Sequence, residues 1–332
     1  MTENTIHIAL SPWDLTDDYN RHAGVTLLSV LDHCSSPVVA HLLYDAKLSV
    51  GKEKDEAHNK ECYQKIADRY NCELCYHHVD LPYWVKELPS VKKWTPGTLM
   101  RLYLPELLPN ADKIVYIDCD MVVLTDIAQL YSIQLGESLF AACKDTEINN
   151  FSKKRTTYYK KHNINIDNYF CAGIMIINLL ELRNKSPQFL EHIFSYLQKN
   201  PDLPYLDQDM LNWYCNGEYY QLDEKMNYYT FRKDITEIQN NCILHYASRE
   251  SKPWIKYHGH IDDYYWDYLL ESPWIDSGKI MEYLSPILMD DDDVLTSLPN
   301  IIWKYPLKTK IRILWNLTFP LWISVLKNYM KR

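Results

Sequence analysis

Two aspartates, Asp118 and Asp120, close an apolar run in "DKIVYIDCDMVVLTD" (112–126), with only Cys119 between them. Carboxylates this close repel, and taking either out of water is costly. A solvated turn at a sheet edge would hold both at little cost. A divalent cation shared by the two would supply the missing positive charge. The place of the pair in the fold decides between these readings.

Other groupings carry weaker signals. "CELCYHH" gives Cys72, Cys75, His77 and His78, the spacing of half a zinc site. No second CxxC accompanies it, and the alternation of "ELCYHHVDL" reads as an ordinary strand. "LDQD" (206–209) sets acidic residues where a helix begins, which the helix dipole favours without any chemistry. Taken alone, Arg101 is a surface ion-pair residue and His245 a packed histidine at a strand end.

The elements that must position these residues follow from periodicity. Strands are expected over 5–11, 37–45, 73–79 and in the run before Asp118, with helices over 21–34, 52–70 and 97–108 between them. Pro105 marks a break in or near the last of these. The alternation predicts an α/β chain with a parallel, doubly wound sheet. Ligands of such sheets bind beyond the carboxyl ends of the strands, which is where Asp118 and Asp120 fall. Further on, strands are expected over 139–145, 169–179 and 241–247. Helices are expected over 186–200, started by Ser186-Pro187, and from 206.

Composition bounds the rest. The 332 residues are 47% apolar, enough for a large core with an appendage, and the net charge of −9 excludes broad nucleic-acid binding. The 27 Tyr and 10 Trp include side chains of the kind that stack on sugars and bases. Nine scattered cysteines, an odd number, and an N-terminus without the pattern of a signal peptide point to a reducing cytoplasm.

Taken together, "LMRLYLPELLP", "YIDCDMVVLTDI", "FCAGIMIINL", "LDQDMLN" and "HYASRESKPW" resemble glycosyltransferase family 8 in order and spacing, over residues 5–255. These are retaining GT-A enzymes that include bacterial lipopolysaccharide galactosyl- and glucosyltransferases and glycogenin. The resemblance implies a Rossmann-like, mainly parallel central sheet flanked by helices. It implies a catalytic domain over 1–260 and a helical extension over 261–332. It implies Asp118, Asp120 and His245 as ligands of Mn²⁺, with Mg²⁺ as a substitute, bridging the diphosphate of a UDP-sugar. Oxygen ligands with one imidazole suit that ion. Lys252, in "KPW", would add a point charge on the phosphates. Arg101 and Cys119 would lie by the donor, Ala9 would line the base site, and Asp145 and Asp207 would bind the donor sugar. Gln208 matches the family's debated nucleophile, at the β face of the anomeric carbon.

The chain departs from that pattern at three places. Cys171 stands where the family usually has the Asn of "FNAG", so the choice of glucose or galactose is not carried over. "ALSPWDLTDDYNRHAG" replaces a shorter acidic loop that helps hold uracil, and "KPW" is displaced by one residue. Two alternatives stand beside this reading. Haloacid-dehalogenase-like phosphatases share strand-DxDx(V/T)(L/V), with Asp118 then the nucleophile and "MDDDDV" (289–294) a late acidic motif. That motif normally opens its domain, whereas strands and helices precede it here. A non-catalytic sugar-nucleotide-binding protein is the other, against which the intact Asp118, Asp120, His245 and "DQD" argue.

The resulting expectation is a retaining, metal-dependent hexosyltransferase. It would move glucose or galactose from a UDP-sugar to a hydroxyl of a surface glycan such as lipopolysaccharide or capsule. The last 30 residues, 303–332, contain seven Lys or Arg and no acid, interleaved with Trp, Leu and Ile. The apolar stretch 313–326 is too short to span a bilayer. Its basic flanks and Trp residues suit an anionic membrane interface, with a core-packed helix as the alternative.

Overall fold

The computed structural model describes residues 5–147, 152–231 and 241–275. The tail 303–332 and the acidic run 289–294 lie outside them. The described residues fall into two compact units, 5–229 with 241–245, and 230–231 with 246–275.

In the first unit the chain runs β1 (Ile6–Trp13), α1 (Asn20–His33), β2 (Val38–Tyr44), α2 (Glu53–Tyr70) and β3 (Glu73–His78). Short α3 (Tyr83–Lys86) and α4 (Pro89–Trp94) lead to a 3-10 segment, Pro96–Tyr103, and to α5 (Leu104–Leu107). Then come β4 (Lys113–Ile117), β5 (Met121–Val123), α6 (Ile127–Tyr131), β6 (Phe140–Lys144) and α7 (Lys153–Lys161). The unit continues with β7 (Phe170–Asn178), α8 (Leu179–Lys185), α9 (Phe189–Lys199), α10 (Leu206–Cys215), β8 (Tyr220–Leu222), β9 (Tyr228–Tyr229) and β10 (Ile243–His245).

Two expected helices differ. The segment 97–108 is not one helix but a 3-10 run followed by α5. Pro105 sits in the first turn of α5, where its missing N–H is harmless, and its ring disfavours helical continuity from the residues before it. Helix α9 starts at Phe189, after Gln188, whereas Ser186 ends α8 by donating its N–H to Leu182. The "CELCYHH" segment is strand β3, as its alternation suggests.

Among the described residues the main sheet has seven strands in the order β3-β2-β1-β4-β7-β6-β8. β1, β2, β3 and β4 are parallel; β7 runs antiparallel to β4 and to β6. Ile114, Val115 and Ile117 of β4 are fully buried, at roughly 1.5–3 kcal/mol for each side chain withdrawn from water. From β1 the chain builds outward to β2 and β3 on one side and later adds β4 on the other. That reversal is a topological switch point, and Asp118 follows the last residue of β4.

A second, three-stranded sheet, β5-β10-β9, carries the chain onward from Asp120. Helix α1 serves it with hydroxyls: Thr26 donates to the Met121 carbonyl at 2.8 Å, and Ser29 accepts from the Val123 N–H at 2.9 Å. This is why polar Thr26 and Ser29 are buried on a helix whose apolar face already packs on the sheet. In the second unit α11 (His260–Glu271) is anchored by the Tyr246 hydroxyl, which donates to the Ile261 carbonyl. Among the described residues no helix is long and apolar enough to cross a membrane.

Candidate active site

Beyond β4 the chain turns at Cys119-Asp120 before it enters β5. Asp118 and Asp120 fall together, and the Cys119 thiol turns to the backbone of Ser11 at the end of β1. β5 then pairs antiparallel with β10 and sets His245 opposite Met121. One ligand atom from each of Asp118, Asp120 and His245 lies within 4.8 Å of the others. This is the one such cluster of three or more metal-ligating side chains among the described residues.

His245 is buried, and its Nδ1 lies 2.8 Å from the Asn227 amide oxygen. That oxygen can only accept, so Nδ1 carries the proton and Nε2 faces Asp120 Oδ1 at 3.4 Å. Burial opposes a charge on the ring, yet the Asp120 carboxylate and its hydrogen bond raise the His245 pKa to about 10. Burial pushes Asp118 up as well, against the pull of Arg101, and the Asp120 charge adds to the rise. The cluster thus holds a proton where a cation's charge would stand. Two carboxylates and one imidazole fit Mn²⁺ or Mg²⁺ as a donor set.

Arg101 is not a surface residue. Its guanidinium is 3% exposed, lies 4.0 Å over the Tyr116 ring, and bonds Asp118 Oδ1 through Nη2 at 2.8 Å. Its Nε is 3.2 Å from Asp207 Oδ2, and Nη1 donates to the Ala172 carbonyl at 2.5 Å. Burial works against the charge, and Asp118 with Asp207 holds it in place. The Ala172 N–H in turn donates to Gln208 Oε1 at 3.0 Å, so one peptide group links Arg101 to Gln208. Gln208 Nε2 donates to Asp145 Oδ2 at 3.1 Å and to the Tyr169 hydroxyl at 3.3 Å. Burial raises the Asp145 pKa.

Consecutive residues of α10 therefore point three ways, as the 100° step of a helix requires. Asp207 meets Arg101, Gln208 meets Asp145, and Asp209 accepts from the Tyr169 hydroxyl at 2.6 Å and from the Tyr205 N–H at 2.7 Å. Burial lifts both Asp207 and Asp209 to about 6, opposed at Asp207 by Arg101 and at Asp209 by Tyr169. The favourable helix-terminus reading thus describes Asp209, while its two neighbours belong to the site.

Cys171 is buried, with its sulfur 3.4 Å from the Gly173 N–H. Ala9 is fully buried in the apolar core with Leu43 and Met100, so it offers no free surface. Lys252 belongs to the second unit, where its Nζ lies 5.4 Å from the Trp254 ring centre.

Several residues at this site escaped the sequence reading. Asn227 orients His245, and the Tyr116 hydroxyl donates to Asp118 Oδ1 at 3.0 Å. A Cβ on Gly173 would stand 2.5 Å from His245 Cε1 and 2.8 Å from Met121 Cε, so the imidazole requires glycine there. Tyr19 lies against the aspartate pair, its pKa raised by burial and then by Asp120, Cys119 and Asp118. The acidic run Asp17-Asp18 before it was the available signal.

The sequence profile of glycosyl transferase family 8 matches residues 12–257. The chain belongs to this family. The match sets the phosphatase alternative aside. Among family relatives, the lipopolysaccharide 1,3-galactosyltransferase of Salmonella typhimurium is 23% identical over 66% of this chain and 67% of its own. Two solved glycosyltransferases share the fold. The galactosyltransferase LgtC, solved with donor and acceptor sugar analogues, aligns with a TM-score of 0.64 and 19% identity over 83% of this chain and 99% of its own. The bifunctional WbbM aligns with a TM-score of 0.66 and 21% identity over 87% of this chain, which spans only 52% of WbbM. The family 8 chain described here thus has the GT-A architecture and is a glycosyltransferase by family.

Proposed function

We propose that this protein is a retaining hexosyltransferase that moves glucose or galactose from a UDP-sugar to a hydroxyl of a lipopolysaccharide- or capsule-type surface glycan. The observation that carries the proposal is the connected cluster, in a family 8 chain. Asp118, Asp120 and His245 converge, and Arg101 ties Asp118 to Asp207 and, through Ala172, to Gln208. Asp118, Asp120 and His245 would hold a divalent ion, Mn²⁺ in this proposal. A bound ion would supply Lewis acidity to the departing nucleoside diphosphate. Arg101 holds two carboxylates in register without losing its own charge. Asp145 and Asp207 present buried acceptors to sugar hydroxyls, with Cys119, Cys171 and Tyr19 around the donor. Residues 1–260 would form the catalytic domain, with 261–332 as an extension.

Gln208 has both ends of its amide engaged, which supports positioning over nucleophilic attack. The acceptor hydroxyl would then attack from the face the leaving group departs, passing its proton to the leaving phosphate. Acceleration would come from alignment and electrostatics. The relative's printed name, a lipopolysaccharide galactosyltransferase, supports the glycan class. The basic, aromatic segment 303–332 supports a peripheral station on an anionic membrane.

The test is a panel of UDP-sugars with Mn²⁺, scored by release of free UDP, followed by proton NMR of the new anomeric signal. Turnover of UDP-glucose or UDP-galactose, its loss in chelator and an α-linked product are expected. Full turnover in excess chelator refutes the metal, and a β-linked product refutes retention.

A further inference from the structure

Gln208 is preceded by Tyr205, the central ring of a group that the donor chemistry leaves unused. The Trp94 ring, at the end of α4, lies 5.5 Å from Tyr205 between centres at a tilt of 43°. Trp94 is fixed there by its indole N–H, which donates to the Pro204 carbonyl at 2.7 Å. Two cations rest on these rings. Lys93 Nζ is 4.5 Å from the centre of Trp94 and 5.8 Å from that of Tyr205. The Arg155 guanidinium is 5.1 Å from the centre of Tyr205 and donates to its hydroxyl at 2.9 Å. Lys93 is exposed and has no carboxylate partner among the described residues. Arg155 comes from α7, whose sequence "KKRTTYYKK" holds five cations and no acid in a chain of net charge −9. The acid tied to this face, Asp202, accepts from the Tyr158 hydroxyl at 3.0 Å.

The group borders the reaction centre. Leu206, next to Tyr205, has φ +40, a left-handed conformation that a leucine adopts only under constraint. The constraint is visible in the Tyr205 N–H bonded to Asp209. The Tyr205 phenol also feels the Asp145 carboxylate that Gln208 binds. From the Asp118–Asp120–His245 cluster through Arg101, Ala172 and Gln208, the next surface is therefore Tyr205 with Trp94. A donor sugar reaching from the metal to Gln208 leaves this surface for the second substrate.

We propose that the acceptor is an anionic saccharide, its ring on Trp94 and Tyr205 and its carboxylate or phosphate held by Lys93 and Arg155. This deepens, and rests on, the transferase reading above. Aromatic faces take the apolar side of a sugar ring. A neutral sugar would have to push the two cations off those faces and give nothing back. An anionic sugar moves them to the rim of those faces as well, but its charge then pairs with them there, Arg155 by its fork of donors and Lys93 as a point charge.

The test is binding to the full-length protein in the presence of UDP and Mn²⁺, by calorimetry. The probes are two matched pairs: methyl β-glucoside with methyl β-glucuronide, and glucose with glucose 6-phosphate. The pairs separate a carboxylate from a phosphate as the source of charge. At least one charged probe should bind about tenfold more tightly than its neutral partner, and about 0.5 M salt should erase most of the difference. K93E, at an exposed site, and R155Q should each cut binding of the charged probe about fivefold and move the neutral one less than about twofold. Equal affinity within both pairs, no binding of any probe, or a preference that survives both substitutions overturns the proposal. UDP release from UDP-sugar alone, in the same preparations, reports on the transferase reading. Its failure beside an intact charge preference counts against that reading and not against the platform.

Discussion

His7, His41 and His77 stand on adjacent strands β1, β2 and β3 as a hydrogen-bonded row, with ring nitrogens 3.0 Å and 2.8 Å apart. Burial lowers the pKa of all three, and His41, hemmed in by His77 and His7, falls to about 3. Either direction of the row lets a neutral His41 donate from one nitrogen and accept at the other. At the carboxyl end of β4 the polar cluster keeps its charges. Asp118, Asp120 and Asp207 against Arg101 and a protonated His245 leave a net charge of −1. Both clusters lie half-buried or buried on the same fold, yet one is neutral and satisfies itself while the other is one positive charge short. The row needs nothing further to be stable, whereas the charged cluster keeps an excess of negative charge that a cation would offset.

Substitution should separate the two most sharply in turnover. Asp120→Ala should cost about a thousandfold, ~4 kcal/mol of transition-state stabilisation, in UDP release. His41→Asn should leave it within about twofold, as for a residue remote from chemistry. A matching loss from His41→Asn would join the row to the reaction and dissolve the contrast.

Stability comes next. Arg101→Leu leaves buried Asp207 and half-buried Asp118 without their counter-charge and should cost ~3 kcal/mol in urea denaturation. His41→Leu removes a neutral hydrogen-bonding group and should cost only ~1–2 kcal/mol. The reverse order would show that the cluster is not held by charge.

Gly173→Ala sharpens the metal side, because its new Cβ meets His245 and Met121. Mn²⁺ affinity, followed by electron paramagnetic resonance, should fall about tenfold, as when a group orienting a ligand is lost. Unchanged affinity would mean that His245 is not a ligand in this position.

The smallest effect is in the pH dependence of stability, and its two signs are opposite. His41 is lowered to about 3 in the folded protein, so the unfolded chain takes a proton first as pH falls below the ordinary histidine value of 6.5. Its contribution is full above that pH and is lost on acidification. Asp209 is raised to about 6, above the ordinary aspartate value of 3.8, so here the folded protein takes the proton first and gains stability as pH falls from about 6. Each slope is at most about 1.4 kcal/mol per pH unit. In chelator, His41→Asn should flatten the acid loss, and Asp209→Asn should flatten the acid gain. Tilts of the same sign would mean that His41 and Asp209, beside the charged cluster on α10, are not shifted in opposite senses.

Periodicity and turn chemistry are local, and they were enough to locate the strands from β1 to β4 and the place of Asp118 at a carboxyl end. They also exposed the helical start at Leu206. Motif spacing brought in Arg101, Asp145, Gln208 and His245 through resemblance, and the structure draws these four into one hydrogen-bonded and ionic network with Asp118, Asp120 and Asp207. What the sequence hid depends on partners distant along the chain. Arg101 reads as a surface cation until Asp118, Asp207 and the Ala172 carbonyl are seen to close around it. Gly173 reads as a flexible residue until the His245 ring stands on it. His245 reaches Asp120 only because β10 pairs with β5, and that register is set by contacts between strands, which no local pattern encodes.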